Sequence, residues 1–243
     1  MHRGGPLAHT LVLVAAALLP RLSHAEEALA PETLVGGPHT PTVVAYAPRQ
    51  TTGPAPITVV LHGMCGDAAH LCAWFAPVVT ESSWLICPRA PVRCEGGGYI
   101  WPAGELSSTL DAAVAQVAAA HPGRLDESCG RTLIGFSQGA FRGLDLAHAA
   151  QGKYPRVLLI AAMLHPSAPR LEASGVRRLL FAAGRWDMTY AHLSHEAQSL
   201  ARQGLRAHFE DLGPVGHRFP ADFSARLRPL LRWLQGDDSA LEP

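Results

Sequence analysis

The chain has no excess of charge of either sign. Lys+Arg and Asp+Glu each total 20, and charged residues make up only 16 % of the 243 positions. A basic face for DNA or RNA and a polybasic stretch for an anionic lipid surface are therefore both missing, and neither partner is expected. Long apolar runs are also lacking. The most apolar stretch, Leu11 to Leu19, is too short to span a bilayer. There is no C-x-x-C pair, which argues against a thiolate zinc site. There is no internal repeat, no low-complexity tract and no linker marking a second domain. Gly (23) and Pro (20) are frequent but scattered, which fits a compact chain with many turns rather than a disordered one.

The short apolar run follows the basic Arg3 and is broken by Pro20. Ser23-His24-Ala25 places small residues at −3 and −1 of a cut after Ala25. This three-part pattern predicts a secretory signal peptide over residues 1–25, with Glu26 as the new N-terminus and a secreted or periplasmic location. An uncleaved anchor is the alternative. Residues 26–41 read as an irregular lead-in, and residues 42–243 as one domain.

Export gives meaning to five cysteines, Cys65, Cys72, Cys87, Cys94 and Cys129, because thiols in an oxidising compartment pair where geometry allows. Spacing does not fix connectivity. Two equal seven-residue separations favour Cys65–Cys72 and Cys87–Cys94, leaving Cys129 free.

Hydrophobic residues make up 48 % of the chain, enough for a large core, and their pattern alternates between two periods. Runs at 42–47, 57–61, 84–87, 131–136, 157–162, 178–183 and 205–211 read as strands, and the continuous β-branched run 57–61 has the pattern of one buried on both faces. Helix-compatible stretches fall at 67–81, 107–120, 138–150, 191–203 and 221–235. Such alternation predicts an α/β fold, a mostly parallel sheet covered on both faces. A long Gly- and Pro-rich loop over 88–104 carries Tyr99 and Trp101, and long loops in compact domains are often functional.

Gly135-Phe136-Ser137-Gln138-Gly139 is a G-x-S-x-G pattern. Chance alone supplies roughly 0.1 such matches in a chain of this composition, so context carries the weight. An apolar strand ends directly before Ser137 and a helical pattern begins directly after it, as a nucleophile elbow requires. In that arrangement an acid and then a base follow along the chain, each in a loop at the carboxyl end of a strand. Asp187 follows strand 178–183, and His217 follows strand 205–211. A hydroxyl needs a base within hydrogen-bond reach. An imidazole can take that proton and return it to a leaving group. A carboxylate fixes the imidazole's tautomer. Asp211 is the chief rival for the acid, and Asp145 reads as helix surface. The oxyanion of an acyl-transfer intermediate needs two donors, expected from the backbone N–H groups of Gln138 and of Met64 in the His62-Gly63-Met64 loop. His62 reads as a support of that loop. Tyr99, Trp101, Met163, Trp186 and Met188, on or near loops at this rim, are candidate substrate contacts. His192 and His195 lie three apart on a helix, with no carboxylate pattern to complete a metal site.

Together V-V-L-H-G-M, G-F-S-Q-G, the Asp187 loop and G-H-R-F resemble the α/β-hydrolase superfamily over roughly residues 42–235. The elbow is similar to that of small carboxylesterase/phospholipase-type and dienelactone-hydrolase-like members. Dienelactone hydrolases proper carry Cys at the elbow, and Ser137 argues for ordinary ester chemistry. No insertion suited to a lipase lid is visible, and paired cysteines near the oxyanion loop are not general in the superfamily. The resemblance implies a serine hydrolase with no metal and no organic cofactor, acting on a small or polymeric carboxylic ester. An exported peptidase or polyester depolymerase would use the same residues. A catalytically inactive hydrolase fold used for binding would have lost one of them, and none is missing.

Overall fold

The computed structural model describes residues 1–2, 29–37, 40–104 and 106–241. The signal-peptide expectation for residues 1–25, with its cut before Glu26, lies almost wholly outside them. Elements follow in the order β1 (Glu32–Leu34), β2 (Val43–Tyr46), β3 (Ala55–Leu61), α1 (Ala68–Val79), β4 (Trp84–Pro88), β5 (Val92–Arg93), β6 (Tyr99–Ile100), α2 (Ser107–Ala120), β7 (Leu125–Asp126), β8 (Thr132–Phe136), α3 (Gln138–Ala149), β9 (Arg156–Ile160), α4 (Ala168–Ala173), β10 (Arg178–Ala183), α5 (Tyr190–Arg202), β11 (Arg206–Asp211) and α6 (Phe223–Gln235).

Among the described residues the main sheet runs β1-β2-β4-β3-β8-β9-β10-β11, with β7 beside β3. From β4 to β11 all neighbours are parallel; β1 and β2 add an antiparallel edge. The strands read as continuous apolar runs because both faces are covered. Trp84 and Ile86 of β4, Leu133 of β8 and Leu179 and Phe181 of β10 pack on one side, under α2, α3, α4 and α5. Leu85 and Cys87, Ile134, Leu180 and Ala182 pack on the other, under α1 and α6. Among the described residues no helix is long and apolar enough to cross a membrane.

From β3 the chain winds first to β4 on one side and later to β8 on the other. The order of winding therefore reverses between β3 and β8. Open α/β sheets bind ligands in the crevice beyond the carboxyl ends of strands at such a point.

Two details depart from the sequence reading. The lead-in is not wholly irregular: β1 pairs with β2 through Glu32↔Ala45 and Leu34↔Val43. The 88–104 loop contains a two-residue ribbon, β5 against β6.

The disulfide pairing is also different. The bridges are Cys65–Cys94 and Cys72–Cys87, with Cys129 free and exposed; Cys65–Cys72 and Cys87–Cys94 do not form. The reason is direction. Cys72 lies on the buried face of α1, and Cys87 alternates with Ile86 so that it points to the same side of the sheet, beneath that helix. Cys65 sits in the exposed turn before α1, facing away from the core, where the loop after β5 brings Cys94 to it. Equal spacing says nothing about which way each side chain points.

Candidate active site

Ser137 stands between the last residue of β8 and the first of α3, with φ 55° and ψ −117°. A left-handed φ is costly for a residue with a Cβ. The elbow is held by the Ser137 N–H bond to the Ile160 carbonyl (2.9 Å) at the end of β9. It also needs backbones closer than side chains permit. A Cβ on Gly135 would come 2.3 Å from the Gly139 carbonyl oxygen, and one on Gly139 would come 2.1 Å from the Leu61 carbonyl oxygen. The helix thus starts directly over the ends of β3 and β8, with the N-terminal end of its dipole beside the serine.

The loops after β10 and β11 are bonded to each other. Arg185 N–H donates to the Gly213 carbonyl (2.8 Å) and Trp186 N–H to the Val215 carbonyl (3.0 Å). This pairing carries Asp187 to His217. His217 Nδ1 lies 2.7 Å from Asp187 Oδ2, and His217 Nε2 lies 2.9 Å from Ser137 Oγ. The network assigns the proton to Nδ1, leaving Nε2 to accept from the serine hydroxyl. The Asp187 side chain is 1 % exposed and that of His217 51 %. Burial acts to raise the Asp187 pKa. The Thr189 N–H (2.9 Å) and hydroxyl (2.8 Å) on Oδ1, together with His217, outweigh it and hold the carboxyl below its ordinary value. Asp211, the rival, is occupied elsewhere: it accepts from Arg185 Nε (2.5 Å) and Gly213 N–H (2.7 Å). Asp145 pairs with Arg142 on the surface of α3.

The loop after β3 turns sharply, with Gly66 N–H bonded to the Gly63 carbonyl (3.0 Å) and Cys65 at φ 50°. Among the described residues the amides of Met64 and Gln138 make no hydrogen bond. Both flank Ser137, one on each side of the switch point.

His62 is buried and braces this turn. Its Nε2 accepts from Ala90 N–H (3.1 Å), which leaves Nδ1–H to donate to the Gly63 carbonyl (2.8 Å). Burial holds the His62 pKa below the ordinary imidazole value, against the Gly63 bond and the Asp67 charge, as suits a neutral structural ring.

Trp101, read from sequence as a substrate contact, is 2 % exposed and serves as a brace instead. Its indole N–H donates to the His62 carbonyl (2.9 Å). Its backbone pairs twice with the Gln138 side chain, N–H to Oε1 (3.0 Å) and Nε2 to the carbonyl (3.1 Å). One residue therefore ties together the two segments that carry the Met64 and Gln138 amides.

The cleft that opens at Ser137 is about 380 Å³ and is walled by Leu71, Trp74, Phe136 and Phe219, with His70 and Arg218 at its edge. Phe136 lies 4.9 Å from Phe219 and 5.0 Å from the His217 ring, and Trp74 lies 5.4 Å from Phe219, centroid to centroid. None of Tyr99, Trp101, Met163, Trp186 or Met188 lines it. Tyr99 carries Arg89 over its ring at 4.4 Å and faces a different cleft. Met163, Trp186 and Met188 are 43, 71 and 88 % exposed on neighbouring loops. The wall residues had a signal in the chain: Phe136 immediately precedes Ser137, and Phe219 follows His217 by two. Trp74 sits on a helix whose apolar face reads as core.

No protein-family model matches the chain, and no curated protein sequence is similar to it. Solved structures are. S-formylglutathione hydrolase from Staphylococcus aureus matches with a TM-score of 0.60 at 16 % identity, over 85 % of this chain and 98 % of that one. Esterase PE8 matches with a TM-score of 0.61 at 20 % identity, over 80 % and 98 %. Acyl-protein thioesterase 2 from Zea mays matches with a TM-score of 0.52 at 21 % identity, over 80 % and 99 %. A mostly parallel sheet in this order, with helices on both faces and this set of structural neighbours, is the α/β-hydrolase fold.

Proposed function

We propose that the protein is an exported serine hydrolase that cleaves carboxylic esters through an acyl-enzyme. The observation that carries this reading is the continuous hydrogen-bond line Ser137 Oγ, His217 Nε2, His217 Nδ1, Asp187 Oδ2, at 2.9 and 2.7 Å. As Ser137 Oγ bonds to the ester carbonyl carbon, its proton passes to His217 Nε2. The carbonyl oxygen becomes an oxyanion facing the Met64 and Gln138 amides, where one such donor is typically worth about 3–4 kcal/mol in the transition state. Collapse breaks the bond to the alcohol oxygen, and His217 returns the proton to that leaving group. Water then repeats the sequence on the acyl-enzyme, regenerating Ser137. Throughout, Asp187 stays ionised, keeps the proton on Nδ1 and stabilises the imidazolium. Two disulfides support export to an oxidising compartment. Fold neighbours that are esterases, esterase PE8 and a ferulic acid esterase, support ester chemistry.

The test is labelling with a fluorophosphonate. Wild type is expected to be modified at one site, the peptide carrying Ser137, and Ser137→Ala not at all. Equal labelling of the two proteins would remove the assignment.

A second expectation concerns the brace. Trp101→Phe keeps a ring and both backbone bonds to Gln138 but deletes the donor to the His62 carbonyl. Acting through the oxyanion turn, it should lower kcat by about tenfold, the order of one lost hydrogen bond of about 1–1.5 kcal/mol, with KM nearly unchanged. Binding of a boronic-acid transition-state mimic should weaken in parallel. A change confined to KM or to melting temperature would make Trp101 merely structural.

A further inference from the structure

Beside the proposed active site, His165, His192 and Glu196 bring one ligand atom each to within 4.8 Å of one another. His192 and Glu196 are four apart on α5, on one face of a rigid helix. His165 comes from the segment after β9, and its ring meets that of His192 edge-on at 4.9 Å. The His192 ring is already oriented: its Nε2–H donates to the Leu164 carbonyl oxygen at 2.5 Å, which leaves Nδ1 as the nitrogen with a lone pair for a metal. A ligating histidine commonly donates its other ring N–H to a carbonyl in this way.

We propose that His165, His192 and Glu196 bind a divalent transition-metal ion, with zinc the best fit. Two imidazoles and a carboxylate suit Zn²⁺ rather than Ca²⁺ or Mg²⁺, which prefer all-oxygen shells. Zinc bonds of about 2.0–2.2 Å place tetrahedral ligand atoms roughly 3.3–3.6 Å apart. The ligand atoms, within 4.8 Å of one another, would have to close by roughly an ångström to reach that spacing. Three protein ligands leave the fourth position to water. The sequence reading paired His192 with His195 and found no carboxylate. In the fold His195 is exposed and outside the cluster, and Glu196 supplies the carboxylate. The bound ion would tie the β9 exit to α5, a turn from Thr189, whose hydrogen bonds hold Asp187. It is separate from the serine chemistry and does not take part in it.

Chelator-treated protein should be titrated with Zn²⁺ alone, by calorimetry and by thermal shift. Wild type should bind one equivalent and melt at a higher temperature with the metal. His165→Ala and Glu196→Gln should each weaken binding about tenfold or more and remove the shift, since even outer-shell partners typically cost about 10–100-fold. His195→Ala and His217→Ala should bind as wild type does. Wild-type affinity no tighter than that of His165→Ala would overturn the proposal. Binding that survives in His165→Ala and disappears in His217→Ala would also overturn it, because the ion would then sit at the serine site. None of these readouts requires the protein to hydrolyse an ester.

Discussion

Ser137→Ala is expected to lower kcat for a p-nitrophenyl ester by about 10⁴–10⁶-fold, and His217→Ala by a similar factor. The double variant should be no worse than either single one. The reason is that the two side chains act as one device. Without Oγ there is nothing for His217 to deprotonate, and without Nε2, 2.9 Å away, Oγ stays a hydroxyl. Residual rate above the uncatalysed reaction should persist in all three proteins, because the Met64 and Gln138 amides are main-chain groups that neither substitution removes. Circular dichroism spectra should overlay, since both side chains stand at the rim of the cleft. Losses that multiply in the double variant would mean that Ser137 and His217 act independently, and the acyl-enzyme mechanism would then lose its basis.

The second large effect falls on folding. Gly139→Ala places a methyl 2.1 Å from the Leu61 carbonyl oxygen and 2.7 Å from that of His62. Both atoms are backbone at the end of the central strand, so neither can rotate aside. Helix α3 would have to lift off β3, taking Ser137 with it. The expected cost exceeds about 4 kcal/mol, in the range reserved for severe steric or core defects, and urea midpoints should record it. Gly143 on the same helix is the control. Its added methyl would meet side chains rather than backbone, Leu159 at 3.0 Å and Leu133 at 3.9 Å, and alanine is worth up to about 1 kcal/mol more than glycine in a helix. Gly143→Ala should therefore be far milder. Equal midpoints for the two variants would refute the close-approach account of the elbow.

Much of this was legible in the chain, for identifiable reasons. Strands buried on both faces announce themselves as apolar runs, so the loops after 131–136, 178–183 and 205–211 could be located, and with them Ser137, Asp187 and His217. Residues that meet through backbone direction were not legible. Cysteine spacing could not say that Cys72 and Cys87 share one side of the sheet. The indole of Trp101 points inward to the His62 carbonyl although its segment reads as an exposed loop. Strands as short as Glu32–Leu34 and Leu125–Asp126 leave no periodicity; the first exists because β2 offers a free edge, the second because β3 starts at Ala55–Pro56, before its pairing with β8 begins at Thr58. His165 and Glu196 lie 31 residues apart, and only the packing of α5 beside the β9 exit unites them.

The two bridges are nested, Cys72–Cys87 inside Cys65–Cys94, with separations of 15 and 29 residues. The outer one reaches solvent through Cys65, whereas Cys72 and Cys87 are buried at 0 and 1 %. A mild thiol reductant acting on the folded protein should therefore open them in sequence. Alkylation and mass analysis should find Cys65 and Cys94 modified while Cys72 and Cys87 remain joined. Such a half-reduced molecule would keep its melting temperature close to normal yet lose the tether on the Met64 turn, so that turnover fades before the domain does.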